Sequence, residues 1–261
     1  MNRQLNVERQ RQICQLVEEK RQATVAELSR RFGVSEATIR RDLEKLESGG
    51  TIQRVHGGAI FTDSRRARPE PPILQRSAEN AEEKRKIGRA AAALVNDGET
   101  VFIGSGTTTL EVARHLRGKR GLTVITNALN IANELAGEHD ITLIVVGGLL
   151  RHSELSMIGH IAEQTLQELH ADKVIMGMRA LSLNDGLTND YLPETMTDRA
   201  IISFAPEVIL VVDHSKFGKV STALVAPVTY VSKIVTDDKA PPETVDRLSE
   251  MGIEVILAGE E

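Results

Sequence analysis

The chain has 261 residues, 41% hydrophobic and 26% charged, the profile of a soluble globular protein long enough for one small and one medium domain. Its net charge of −5 is unevenly spread: residues 1–68 hold 14 Lys/Arg against 9 Asp/Glu, a balance of +5, and the remainder 18 against 28, a balance of −10. No apolar run reaches the roughly 18 residues of a membrane helix, the opening MNRQLNVERQRQ is too polar for a signal peptide, and one cysteine, Cys14, excludes an intrachain disulfide and a cysteine-built metal site. These features predict a cytoplasmic protein with no membrane partner.

Residues 1–60 read as three helices and a hairpin. Val7, Ile13, Leu16 and Val17 recur at helical spacing. TVAELSRRF, residues 24–32, forms a second helix with Leu28 and Phe32 inward, and SEATIRRDLEKLE, residues 35–47, a third with Ile39, Leu43 and Leu46 on one stripe. Ser35 is placed to cap the third helix and Gly49-Gly50 to end it. TIQRVHGGAI then alternates around Gly57-Gly58 like a β-hairpin. Residues 61–76, with three prolines and little apolar content, read as a linker or an extended arm.

From residue 77 to 261 helices alternate with short β-branched strands. Strands are expected at 100–103, 122–126, 141–146, 173–178, 208–212, 231–236 and 253–257. Helices are expected at 82–95, 108–116, 128–135, 158–169, 194–203 and 242–251. Such alternation predicts an α/β domain with a mainly parallel sheet covered on both faces.

In the first unit, Gly33-Val34-Ser35 separates two amphipathic helices, as the turn of a helix-turn-helix does. The third helix would then present Glu36, Ala37, Thr38, Arg40, Arg41 and Glu44 to a duplex. Arginine bonds guanine bidentately, while alanine and threonine methyls meet the thymine methyl. Ser35 and Thr38 near the helix start suit phosphate oxygens or base edges, as does Thr24 at the start of the second helix. Arg54, His56 and Gly57 would form a wing. The competing reading is a helical interaction module with solvated arginines; Arg40-Arg41 beside a hairpin weighs against it.

In the second unit, TVFIGSGTTTL runs from a strand through small hydroxylic residues into a helix. Gly104 and Gly106 permit a sharp turn that aims amides and the hydroxyls of Ser105, Thr107, Thr108 and Thr109 at one point, a cradle for a phosphate. It is neither a Walker loop nor a dinucleotide GxGxxG, and a serine/threonine-rich helix cap without ligand remains the alternative. Asn127, Gly147, Gly148, Asp213, Ser215 and Lys216 follow other predicted strands, where ligands of open α/β sheets bind.

The first 60 residues resemble the DeoR-family helix-turn-helix, most specifically through VSEATIRRDLEKLE and RVHGGA. The resemblance continues in order and spacing through EEKRKIGRAAAALVNDGETVFIGSGTTTLEVARHL, VITNALNIANEL, VVGGLLR, DGLTND, VVDHSKFG and IVTDD, and so covers essentially the whole chain. It implies Ser35, Thr38, Arg40 and Arg41 at an operator surface and a wing over 54–58. It also implies a sensor domain akin in fold to ribose-5-phosphate isomerase, with phosphate contacts from Ser105, Gly106, Thr107 and Thr108 and support from Lys84 and Lys216. Where many members have an acid before Ser-Gly-Thr-Thr this chain has Gly104, so no sugar-hydroxyl contact carries over to that position.

The resulting expectation is a repressor of carbohydrate genes that binds double-stranded operator DNA as a dimer or tetramer. A phosphorylated sugar or related metabolite would control it, reorienting paired heads through the linker, with no cofactor and no catalytic residue. The alternative is a sugar-phosphate isomerase with a nucleic-acid tether, for which Glu154, Asp185, Asp190 and Glu194 are acidic candidates without a distinguishing spacing. His152, His160, His170 and His214 lack metal-ligand spacing, and Asp213-His214-Ser215, being adjacent, project apart and form no triad.

Overall fold

The computed structural model describes residues 2–20, 22–48, 52–55, 57–61 and 71–259, and the chain divides into two compact units, Met1–Arg66 and Ala67–Glu261. The first contains α1 (Asn2–Lys20), β1 (Gln22–Thr24), α2 (Val25–Phe32), α3 (Glu36–Ser48), β2 (Ile52–Val55) and β3 (Gly58–Phe61). Helix α2 starts where the Thr24 hydroxyl accepts the Glu27 amide at 3.2 Å and stops at Gly33, whose φ of 65° is left-handed. Helix α3 starts where Ser35 Oγ accepts the Thr38 amide at 3.3 Å.

The inward stripes of the three helices meet: Ile13, Leu16 and Val17 of α1 pack with Leu28, Ile39 and Leu43 over Ile52 and Ala59 of the sheet. Asp42 is buried on the inner side of α3, where it accepts Arg9 Nε at 2.7 Å and Gln10 Nε2 at 2.8 Å and so ties α3 to α1. The strands run antiparallel in the order β1-β3-β2. The expected hairpin is β2–β3, with Gly57 in its turn and Gly58 inside β3. A Cβ on Gly58 would stand 2.3 Å from the Ala23 carbonyl oxygen, so glycine there admits β1. Three-residue β1 has too little sequence for a periodic signal. Gly49, Gly50 and His56 lie outside the described residues, as does 62–70 of the expected linker. The end of that segment is not linker: Ile73–Arg76 is helical, Ile73 is buried, and its amide donates to Ser153 O at 2.7 Å.

The second unit runs α4 (Ile73–Arg76), α5 (Ala81–Ala93), β4 (Thr100–Ile103), α6 (Thr107–His115), β5 (Leu122–Thr126), α7 (Leu129–Leu135) and β6 (Ile141–Val145). It continues with β7 (Leu149–Arg151), β8 (Ser156–Ile158), α8 (His160–Gln167), β9 (Lys173–Met176), β10 (Ala180–Ser182), β11 (Gly186–Asn189), α9 (Leu192–Ile202), β12 (Glu207–Val211), β13 (Ala223–Ala226), β14 (Lys233–Asp237), α10 (Pro242–Glu250) and β15 (Glu254–Ala258). All seven expected strands join one parallel sheet in the order β15-β14-β12-β9-β4-β5-β6.

Alternate residues of the central strands feed two cores. Val101, Ile103, Val124, Ile175, Ile209 and Val211 face α5, α6 and α7 through Ile87, Val112 and Ile131. Phe102, Ile125, Val174, Met176 and Leu210 face α8, α9 and α10 through Leu166, Ile201 and Leu248. Burial on both faces explains why these strands read as continuous apolar runs. Two antiparallel additions carry no such signal, the ribbon β7–β8 and the small sheet β10-β11-β13. They place further loops beside the carboxyl ends of the parallel strands.

Candidate functional site

On the first unit, Thr24, Ser35, Glu36, Ala37, Arg40, Arg41, Arg54 and Gly57 are exposed and Thr38 is half-buried. The outer face of α3 is therefore open, its apolar side fixed inward by Ile39 and Leu43. Arg40 pairs with Glu36 at 3.0 Å, and Arg54 with Glu44 at 3.0 Å. Both pairs are solvent-exposed, so exchanging the carboxylate for a phosphate costs little. Two of the expected contact hydroxyls already have structural work, Thr24 and Ser35 as helix caps, and Ser35 Oγ lies 2.9 Å from Thr38 Oγ1.

The second unit holds a cavity of about 120 Å³ beside the β4–α6 turn. Its near end is lined by Gly104, Ser105, Gly106, Thr107 and Thr108, with Asn80, Lys84, Asn127, Asp213, Ser215 and Lys216 around them. Gly106, with φ 152° and ψ 163°, starts α6 in a conformation open only to glycine, and no side chain caps the helix. The first amides of α6 are thus left for another acceptor. Lys84 is buried and donates to the Arg76 carbonyl at 2.8 Å. Burial holds the Lys84 and Lys216 ammoniums below the ordinary lysine range, partly countered by Asp213. The Asp213 carboxylate is itself engaged by Asn80 Nδ2 at 3.2 Å, by the Ser215 amide at 2.9 Å and by the Ser215 hydroxyl.

The far end is a network of ion pairs. Arg76 pairs with Glu154, and Arg151 with Glu194. Arg151 also lies 3.8 Å from Asp190 and stacks 4.5 Å from the Tyr191 ring centre, while Arg179 pairs with Asp190 at 3.0 Å. Ser156 Oγ donates to Glu194 at 2.8 Å, and Asn189 Nδ2 to Asp198 at 2.8 Å and Glu194 at 3.3 Å. Desolvation and the neighbouring Glu194 push the Asp198 carboxyl up to about 8. Burial also raises Glu154.

Of the residues expected around the cradle, the cavity gathers Lys84, Ser105, Gly106, Thr107, Thr108, Asn127 and Lys216. Thr109 does not line it. One further step around α6 turns its side chain inward, fully buried behind Gly106. Gly147 and Gly148 also stand outside. Gly148, at φ 153°, lets the chain pass the Ile158 backbone, whose carbonyl oxygen a Cβ would meet at 2.8 Å. Arg76, Arg151, Arg179, Asn189 and Asp198 were not singled out by sequence: Arg76, Arg151, Asn189 and Asp198 arrive on α4, β7, β11 and α9 rather than at parallel strand ends, and Arg179 follows the parallel strand β9 without a local signal. Among the acids considered for catalysis, Glu154, Asp190 and Glu194 line the cavity but are held in ion pairs, and Asp185 instead accepts the Ser182 hydroxyl in the β10–β11 turn. Among the described residues no group of three His, Cys, Asp or Glu could hold a metal ion, and no helix is long and apolar enough to cross a membrane.

A helix-turn-helix with a β-wing, followed in the same chain by a doubly covered parallel sheet with a polar cavity at its carboxyl edge, is the architecture of a DNA-binding transcriptional regulator with a sensor domain. The chain belongs to the DeoR family: residues 9–65 match the DeoR-like helix-turn-helix domain and residues 79–238 the DeoR C-terminal sensor domain. It is a transcriptional regulator and not an enzyme. The candidate repressor of the aga operon from Escherichia coli O157:H7 is 36% identical over 253 residues, covering 97% of this chain and 94% of its own. The regulator GolR of Listeria innocua is 32% identical over 251 residues, covering 96% and 98%. The glycerol-3-phosphate regulon repressor of Escherichia coli K12 is 34% identical over 245 residues, covering 94% and 96%. Among solved structures, ribose 5-phosphate isomerase A of Methanocaldococcus jannaschii aligns over 53% of this chain and 55% of its own, with 19% identity and a TM-score of 0.41.

Proposed function

We propose that the chain is a repressor whose α3 reads operator DNA and whose cavity binds a phosphorylated sugar or related metabolite that changes operator affinity. The observation that carries the reading is the uncapped start of α6, opening on a cavity that also holds two desolvated lysines, Lys84 and Lys216. Asp213 offsets the burial of these two cations only in part, and a phosphate would add counter-charge while accepting the amides at the helix start. Ser105, Gly106, Thr107 and Thr108 would surround the phosphate. Arg40 and Arg41 would meet base edges, with Thr24, Ser35, Thr38, Arg54 and Gly57 along the backbone. The names of relatives that repress the glycerol-3-phosphate regulon or the aga operon support the repressor role. A two-fold operator favours a dimer, with half-sites about 10 base pairs apart or a multiple of that.

The test is the double variant Thr107→Val, Thr108→Val. Operator binding should persist, and the thermal stabilisation by phosphorylated sugars, about 2.7 kcal/mol at 100 times the dissociation constant, should vanish. Undiminished stabilisation in that variant would place the phosphate elsewhere.

A further inference from the structure

Helix α9 is patterned the wrong way round for a helix that only covers a core. Over its first two turns the inner face is polar: Glu194, Thr195 and Thr197 are buried, and Glu194 and Asp198 line the cavity. The buried groups are engaged, Glu194 by Arg151 and Ser156, Thr195 by the Tyr191 carbonyl at 3.1 Å, and Thr197 by Glu163 at 3.2 Å and the Gly159 amide at 3.0 Å. The outer face is apolar: Leu192 is 60% and Met196 47% exposed, with Pro193 exposed beside them. A helix side that faces water ordinarily carries polar residues, and the cavity on the opposite side places no demand on Leu192 or Met196.

The apolar strip extends to both sides of α9. On one side Arg199 lies 3.7 Å from Met196 Sδ and donates to the Leu224 carbonyl at 3.2 Å, so Leu224 of β13, 47% exposed, continues the strip. On the other, Tyr191 stacks on Arg151, and Leu149, 67% exposed, stands two residues before Arg151 on the same face of β7. With α9 about 16 Å long and about 10 Å across, and β7–β8 and β13 adding about 15 Å of width, the face spans on the order of 400 Å² in projection. A rough surface exceeds its projection, so with its rim this face reaches the scale of one partner's share in a stable dimer, about 800 Å² of accessible surface.

We infer that this face packs against the same face of a second copy of the chain, α9 against α9 across a two-fold axis. The inference rests on the repressor reading above, in which two heads hold a two-fold operator. The first unit exposes one large apolar side chain among the described residues, Val55, so an apolar contact between chains has its surface on the sensor unit. Elsewhere on that unit the exposed Leu74, Val145 and Leu257 stand apart on α4, β6 and β15. Arg199 is the exposed charge on the outer face of α9, too little for a nucleic acid, and an antiparallel crossing carries it toward the acidic start of the other α9 at Asp190. The Leu224 carbonyl on edge strand β13 is already taken by Arg199, which disfavours strand addition and leaves face-to-face packing. Because Glu194, Asp198 and Ile201 of the same helix line the cavity, a bound ligand and a bound partner act on opposite sides of α9.

The experiment is sedimentation velocity with light scattering on the full-length protein at micromolar concentration, as wild type and as the double variant Leu192→Glu, Met196→Glu. Leu224→Glu takes the double variant's place if that variant is unfolded by circular dichroism, and Leu257→Glu, exposed on β15, is the control. Wild type and control should be dimeric or larger. The folded interface variant should fall to half the wild-type mass or less and lose about tenfold or more in affinity for a two-half-site duplex that the wild type selects from random sequence. Wild-type mass in the folded interface variant would overturn the inference, as would an equal loss of mass in the control. A wild type that is monomeric yet binds its duplex would overturn the pairing face and leave the repressor reading intact. A dimeric wild type that the variant splits, but that selects no duplex, would overturn that reading and leave the face intact.

Discussion

Gly106→Ala tests the cradle at its most constrained point. With φ 152° and ψ 163°, Gly106 occupies backbone space that other residues enter only at a cost of about 1–3 kcal/mol. The added Cβ would also stand 2.8 Å from Thr109 Oγ1, and Thr109 is fully buried, with little room to swing away. The variant must either absorb this strain or rotate the turn, and rotation withdraws the α6 amides from the cavity. For a body of this size each kcal/mol lowers the melting temperature by about 2–4 °C, so the sensor transition should fall by roughly 2–12 °C. Differential scanning calorimetry reads that shift, and repeating the scan with sugar phosphates reads the loss of ligand stabilisation. Wild-type melting together with wild-type ligand stabilisation would refute the link between this conformation and binding.

Arg40→Ala and Arg41→Ala should each weaken specific duplex binding by about 1–3 kcal/mol if a base contact is lost, measured by fluorescence anisotropy. The exposed Arg40–Glu36 pair offsets little of that loss. Asp42→Ala removes the shared acceptor of Arg9 and Gln10 and should lower the melting of the DNA-binding unit by circular dichroism while leaving the sensor transition unchanged. Because the folded Asp198 carboxyl titrates near 8 rather than in the ordinary carboxylate range, the native state holds its proton longer than the unfolded chain. Its contribution to stability is complete in acid and lost as pH climbs to about 8; in Asp198→Asn, urea melts between pH 5 and pH 8 should show a shallower decline. Lys84 and Lys216 must be charged to hold a phosphate, so ligand affinity should fall as pH rises, starting below the pH at which an exposed lysine would titrate. An affinity constant from pH 7 to pH 10 by calorimetry would contradict that.

Residues with local signals were legible in the sequence. The cap at Ser35, the turn at Gly33 and the stripes of Leu28, Ile39 and Leu43 lie within one helical turn of what they control, whereas the capping role of Thr24 emerged only in the structure. The central parallel strands are apolar runs because both faces are buried, and the glycine–threonine turn announces the start of α6. What escaped depends on tertiary placement. Gly148 reads like a ligand-binding glycine, yet its small size serves the close pass of Ile158. Asp42 sits in a charged helix and gives no hint that it faces inward toward Arg9. The far-end pairs join residues remote in sequence, such as Arg151 with Glu194 and Arg76 with Glu154, and the short strands that bring them together are too brief for a periodic pattern.

The most direct measurement is a titration of the full-length protein onto a duplex it has selected from random sequence, carried out with and without a sugar phosphate that stabilises the sensor transition. The account predicts at least a fivefold change in duplex affinity with the ester, lost in the Thr107→Val, Thr108→Val variant, which still binds the duplex. Identical duplex affinity with the sensor saturated by ester would contradict it.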